Sequence, residues 1–222
     1  MLMIWLKIIF VLFIVKPLVF IGLGLNIINR QNLPLKGPVI VAANHNSHLD
    51  TLVLLALFPI THVHKVRPVA AADYFFKNKL SAWLSSNILG IIPIQRAATK
   101  ETKATIFDEC HKALKNEDIL IIFPEGSRGE PEVMSGLKKG IYHLIEESNH
   151  INKNNPCSIV PVIMRGLGCS LPKGTAMFVP FNCDVVLGEK IEQFRDSNDF
   201  VNTMQKAYDE LSEYCIVNKM HE

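Results

Sequence analysis

Apolar and polar positions along the chain change period repeatedly. Residues 39–43 read as a strand and residues 49–58 as a helix. Residues 68–72 are strand-like, 78–89 helical, and 91–94 a short strand. Residues 99–115 read as a helix opened by Thr99, with Phe107, Cys110 and Leu114 on one face. Residues 119–123 form a continuous apolar run ended by Pro124, the pattern of a strand buried on both faces. Residues 137–147 are helical, 158–164 and 183–187 are strands, and Ser197 is expected to cap a terminal helix reaching about residue 217. This alternation predicts an α/β fold, a mostly parallel sheet flanked by helices. A chain of 222 residues suits one well-buried core, so a single domain is expected.

The first stretch breaks the pattern. Residues 1–23 are almost wholly apolar and carry Trp5, Phe10, Phe13 and Phe20, but Lys7 and Lys16 cut them into runs too short to span a bilayer alone. No basic leader or small-x-small cleavage site accompanies them, so a retained helix is expected, bent at Pro17 and lying obliquely or in one leaflet, its lysines reaching back toward headgroups. A tilted spanning helix and the core helix of a soluble protein are the alternatives. The expected organisation is a membrane-associated segment, 1–23, and a catalytic domain, 24–222. The basic residues that follow the segment place that domain on the cytoplasmic side.

Charge sharpens this picture. The net charge is +2, but no acid precedes Asp50, and residues 184–222 hold nine acids against four bases. A basic front suits an anionic membrane surface or phosphate-bearing substrates. Nucleic acid is not an expected partner, because basic helix, zinc-finger spacing and aromatic-basic platform are all missing. Five cysteines without a Cys-x-x-Cys pair point to a reducing compartment and buried thiols.

The chemistry is suggested by Asn44-His45-Asn46-Ser47-His48-Leu49-Asp50, directly after the first predicted strand. Five residues at a strand-to-helix junction let the Asp50 carboxylate fold back onto one nitrogen of His45 and leave the other to take a proton. Ser47 and Asp50 also fit a Ser-x-x-acid helix cap, and one aspartate can do both. His45, His48 and Asp50 could instead be metal ligands of a phosphoesterase or hydrolase, but no second dispersed ligand set accompanies them, and no metal is expected. Ser47 lacks the Gly-x-Ser-x-Gly context of an acylated nucleophile. Further on, Phe123-Pro124-Glu125-Gly126-Ser127-Arg128 also follows a strand end. Its Gly126 allows close backbone approach to a ligand, Arg128 can grip phosphate with two parallel bonds, and Glu125 can accept from a hydroxyl. Arg96, between a strand and a helix, is a second phosphate candidate.

Taken together, the Asn-His-x4-Asp block, Gly90-Ile91-Ile92-Pro93-Ile94-Gln95-Arg96, the Phe123–Arg128 block and Ile159-Val160-Pro161-Val162 resemble, in order, the blocks of the 1-acylglycerol-3-phosphate O-acyltransferase family. The resemblance covers roughly residues 24–190. It implies transfer of an acyl group from an acyl thioester, coenzyme A or acyl carrier protein, to the sn-2 hydroxyl of lysophosphatidic acid, without a covalent enzyme intermediate and without a cofactor. Another lysolipid acceptor is the alternative. It also implies His45 and Asp50 as the catalytic pair, and Arg96, Glu125, Gly126, Ser127 and Arg128 as substrate-binding. One departure stands out: many relatives carry Ala-Lys-Lys-Glu-Leu where this chain has Ala70-Ala71-Ala72-Asp73-Tyr74. A lysine that could hold the headgroup phosphate is missing there.

Overall fold

The structure is a computed structural model describing residues 2–72, 79–95, 106–129, 134–170 and 181–216. Among them seven strands form one sheet: β1 (Gly24–Ile28), β2 (Val39–Ala43), β3 (Val66–Ala71), β4 (Ile92–Ile94), β5 (Ile119–Ile122), β6 (Ser158–Arg165) and β7 (Asn182–Leu187). Their order is β1-β7-β6-β2-β5-β3-β4. Every neighbouring pair is parallel except β6 with β7. The mostly parallel sheet is therefore as expected, and β1 is a strand the sequence pattern did not reveal. Its residues carry only a partial burial pattern because it lies at the sheet's edge.

The pleat divides each central strand between two cores. Val39, Val41 and Ala43 of β2, with Ile119 and Ile121 of β5, face one side. There they meet the Asp50–Leu57 helix and the N-terminal helix. Ile40, Ala42, Leu120 and Ile122 face the other side and meet the Asp108–Lys115, Gly140–Ile151 and Ser197–Ser212 helices. All five cysteines are free, and four of them are buried.

Several boundaries moved for local reasons. The first half of the helix expected at 99–115 lies outside the described residues, and the described part begins at Asp108. The helix expected from residue 137 starts at Gly140, because Lys138 donates its backbone N–H to Pro124 O (2.8 Å) rather than entering the helix. The terminal helix is capped by Asp196, not Ser197: the Asp196 side chain accepts from the amides of Asn198 and Asp199. The cap expected from Ser47 and Asp50 forms one turn ahead of the helix, which begins at Asp50: Ser47 Oγ accepts from Leu49 N (3.3 Å) and Asp50 Oδ2 from Ser47 N (2.9 Å).

The N-terminal helix runs Leu2–Gly22, passing through a π-helical turn at Val11–Val15 ahead of Pro17. By length and composition it could cross a membrane. Lys7, Val11, Val15 and Val19, four apart, form its buried stripe against the domain. This cover explains why the Asp50–Leu57 helix has no polar face: it is enclosed between the sheet and the N-terminal helix, with Val53 to Leu57 all buried. The opposite face exposes Leu2, Trp5, Ile9, Phe13 and Ile21. The lysines do not reach for headgroups as expected. Lys7 Nζ donates to Val66 O and Lys16 Nζ to Ala56 O (2.8 Å), because each lies on the side facing the domain, where buried carbonyls accept from it.

Candidate active site

The order of strands decides the site. β2 lies between β5 and β6, so the chain leaving β2 at Ala43 and the chain leaving β5 at Ile122 emerge side by side at the carboxyl edge of the sheet. Ligands of open parallel sheets bind at that edge. Asn44 fixes the exit of β2. Its side-chain amide donates to Met164 O (2.8 Å) and accepts from Met164 N (2.7 Å), a two-way bond to the end of β6.

The turn that follows wraps around Asp50. One oxygen, Oδ2, accepts from His45 Nδ1 (2.8 Å), Asn46 N (2.7 Å) and Ser47 N (2.9 Å). Asp50 is 1% exposed, so this charge is held by backbone dipoles instead of water. With Nδ1 donating to the carboxylate, Nε2 of His45 is the nitrogen left for proton transfer. The imidazole lies flat against the Phe123 ring, centroids 4.0 Å apart and planes 15° apart. Carboxylate, amides and stacking together leave the ring one orientation.

Glu125 takes a different part from the one expected of it. It is 1% exposed, and both of its oxygens are engaged: Oε1 accepts from His45 N (2.7 Å) and Oε2 from Ser135 N (2.7 Å). The backbone of His45 also accepts from Gly129 N (3.0 Å). The carboxylate thus ties the histidine turn, its own turn and the segment ahead of the Gly140–Ile151 helix into one unit. It does not face the cleft.

A cleft of about 520 Å³ opens beside this unit. His45, Gly126, Ser127 and Arg128 line it on one side, and Val69, Ala70, Ala71, Ile94, Phe107 and Ile141 give it a largely apolar remainder. Gly126 has φ +73°, the left-handed region that a side chain would strain. A guanidinium nitrogen of Arg128 contacts His48 Nε2, so His48 serves as the acceptor that orients the arginine. Burial, then the neighbouring Arg128 and His45, hold the His48 imidazole below the ordinary value of 6.5, with Asp50 opposing. This keeps it neutral and able to accept. Arg96 lies outside the described residues. Among the described residues no group of three or more His, Cys, Asp or Glu is gathered as a metal site.

Of the site residues expected from sequence, His45, Gly126, Ser127 and Arg128 line this cleft, Asp50 lies buried behind His45, Glu125 is turned onto two backbone amides, and Arg96 is outside the described residues. Sequence reading missed Phe123 as the surface under the imidazole, His48 as the partner of Arg128, and Lys138, which also lines the cleft. The first two lie inside recognised blocks and could have been suspected. Nothing in the order of residues marks Lys138.

A model of the Acyltransferase family matches residues 24–165. The chain is similar to human 1-acyl-sn-glycerol-3-phosphate acyltransferase alpha, 26% identical over 165 residues that are 74% of this chain and 53% of that protein. It is 27% identical over 150 residues to the Saccharomyces cerevisiae 1-acyl-sn-glycerol-3-phosphate acyltransferase, 65% of this chain and 44% of that protein. The chain spans about half the length of the relatives it matches. Among solved structures, the crystal structure of the 1-acyl-sn-glycerophosphate (LPA) acyltransferase PlsC from Thermotoga maritima has the same fold. Its TM-score is 0.67 at 19% identity, covering 89% of this chain and 74% of that one.

Proposed function

We infer what this chain does from one premise, that it belongs to the Acyltransferase family. It moves a fatty acyl group from an acyl thioester, of coenzyme A or of acyl carrier protein, to the sn-2 hydroxyl of lysophosphatidic acid, giving phosphatidic acid. The observation that carries this reading is the His45–Asp50 pair, 2.8 Å apart, set at the rim of a largely apolar cleft with a cation, Arg128, on the same side.

The chemistry follows from those groups. The acceptor's hydroxyl loses its proton to Nε2 of His45 as its oxygen bonds to the thioester carbonyl carbon. Asp50 offsets the imidazolium charge that forms. The carbon–sulfur bond then breaks, and the imidazolium returns the proton to the departing thiolate, leaving His45 neutral for the next turnover. Arg128 grips the acceptor's phosphate, and Gly126 lets the backbone come close to it. The apolar walls suit the acyl chains and exclude water that would hydrolyse the thioester.

The N-terminal helix supports membrane association. Its inner stripe is engaged with the domain while Trp5, Phe13 and Ile21 face outward, and Trp83 and Leu84 are exposed on the neighbouring helix. A helix packed along the domain in this way suits one leaflet of a bilayer. We place the catalytic domain on the cytoplasmic side, on the basic residues that follow the helix.

The test is purified protein with a panel of lysolipids and both kinds of thioester, read by product mass. Phosphatidic acid from lysophosphatidic acid is expected, and His45→Ala should abolish it, a loss of at least about 10²-fold, with the far-UV spectrum and thermal midpoint retained. A folded His45→Ala protein with near-normal turnover would refute the mechanism. Product from a different lysolipid alone would move the acceptor and keep the mechanism.

A further inference from the structure

Lys138 and Lys139 are adjacent in sequence and part company in the structure. Lys139 Nζ donates to Asn198 Oδ1 (2.7 Å), on the side of the terminal helix. Lys138 turns the other way and lines the cleft with His45 and Arg128. Its position is built. Its backbone N–H is held by Pro124 O (2.8 Å), and nearby Ser135 N–H is held by Glu125 Oε2 (2.7 Å). Its stem lies along Gly126: a Cβ at that glycine would sit 3.5 Å from Lys138 Cγ and 3.8 Å from Cε. Among the described residues, Nζ of Lys138 has no hydrogen-bond or ion-pair partner. The wall formed by Ala70 and Ala71 offers only methyl groups, and the family block that this stretch resembles has a lysine at the position of Ala71.

We propose that Lys138 is a second cation for the acceptor's phosphate, acting across Gly126 from Arg128. The inference rests on the reading of lysophosphatidic acid as acceptor and names the partner that reading lacks. A phosphate monoester carries about 1.5 to 2 negative charges near pH 7, so one guanidinium leaves much of it unmatched. Arg128 supplies a planar fork fixed by His48. Lys138 supplies a point charge on a stem that the glycine leaves room for. The exposed backbone of Gly126, beside the Lys138 stem, lines the same cleft as Arg128, so a phosphate there meets two cations and a main chain free of side-chain bulk. The lysine lost from the β3 side is replaced from the segment ahead of the Gly140–Ile151 helix.

The experiment compares Lys138→Met, which keeps the stem and removes the charge, with Lys138→Arg, Lys139→Met and Arg128→Ala. Saturation kinetics are measured with each substrate varied in turn, alongside inhibition by glycerol 3-phosphate. Lys138→Met should raise the acceptor KM and the glycerol 3-phosphate inhibition constant about three- to tenfold, with the donor KM unchanged. Lys138→Arg should recover most of that, and Lys139→Met should leave both values as they are. If Arg128→Ala raises the acceptor KM and Lys138→Met does not, Lys138 is not at the phosphate, and the acceptor reading stands. If Lys138→Met raises the donor KM instead, the lysine reads the thioester carrier and the proposal is overturned. If Arg128→Ala and Lys138→Met both leave acceptor and glycerol 3-phosphate constants unchanged, the phosphate-bearing acceptor itself is wrong.

Discussion

The two edges of the sheet both bury charge, and they do so differently. At the carboxyl edge, Asp50 and Glu125 lie almost fully inside the protein, and four backbone N–H groups and one imidazole converge on them. At the amino edge of β3, Lys7 is just as buried, but its ammonium donates to one carbonyl, Val66 O. Arg67 nearby repels it, and Asp118 only partly offsets that. Burial and Arg67 together bring Lys7 down from the ordinary 10.5 to about 7. A buried charge met by several fixed dipoles can be held ready for chemistry without reorganisation. A buried charge with one partner is tolerated as a docking contact and yields its proton instead.

The largest test of this contrast is Asp50→Asn. The amide oxygen can still accept from His45 and the two turn amides, so the fold should survive. The charge that offsets the imidazolium is gone, and kcat should fall by roughly 10²–10⁴. A folded Asp50→Asn protein with kcat within a few-fold of the parent would mean that the carboxylate only shapes the turn. Glu125→Gln comes next. A glutamine keeps one acceptor and turns an NH₂ toward one of the two amides, so a buried N–H loses its partner at a cost of about 1–3 kcal/mol. The thermal midpoint should fall, and kcat should drop about tenfold with acceptor KM little changed, since Glu125 positions His45 without touching substrate. A rise in acceptor KM with kcat intact would return Glu125 to the substrate.

Smaller is the pH response of His48. Its pKa is depressed, so the neutral ring persists below pH 6.5 and is lost only as pH falls further. Once protonated, it can no longer accept from Arg128 and repels it. Acceptor KM should therefore rise about threefold on the acid side of that titration, on the scale of an exposed charge pair. His48→Gln, which accepts at any pH, should flatten the rise. An unchanged profile in His48→Gln would assign it to the acceptor's own phosphate. The smallest effect belongs to the amino edge. With Lys7 at about 7 when docked and 10.5 when free, the stability it withholds is fully missing below pH 7 and returns as pH rises toward 10.5. Lys7→Met should raise the thermal midpoint by a few degrees at pH 6, and the gain should shrink by pH 9. A gain that is constant with pH would show that Lys7 is charged in neither state or in both.

Local chemistry made much of this molecule legible from its residues. The continuous apolar run 119–123, short and ended by Pro124, has the pattern of a strand covered on both faces, and β5 occupies 119–122. A histidine five residues before an aspartate at a strand exit can close on itself without help from elsewhere, and it does. The Asp50–Leu57 helix was readable as a helix, although the reason for its missing polar face was not, because the covering helix is distant in sequence. β1 and the antiparallel β6–β7 pair were not legible either, since pairing direction depends on connections and not on the strand's own residues.

By itself, then, the sequence determined most of the segments that are strands or helices and the pairing of His45 with Asp50, because both depend on residues close together in the chain. Only the tertiary structure decided what lies beside that pair. It turned Glu125 inward onto two backbone amides, pointed the N-terminal lysines at carbonyls of the domain, and sent Lys138 into the cleft while Lys139 faced Asn198. Those choices depend on which backbone donors and acceptors the sheet order leaves unpaired at each edge. A linear pattern does not carry that information, because β2, β5 and β6 become neighbours only when the sheet assembles.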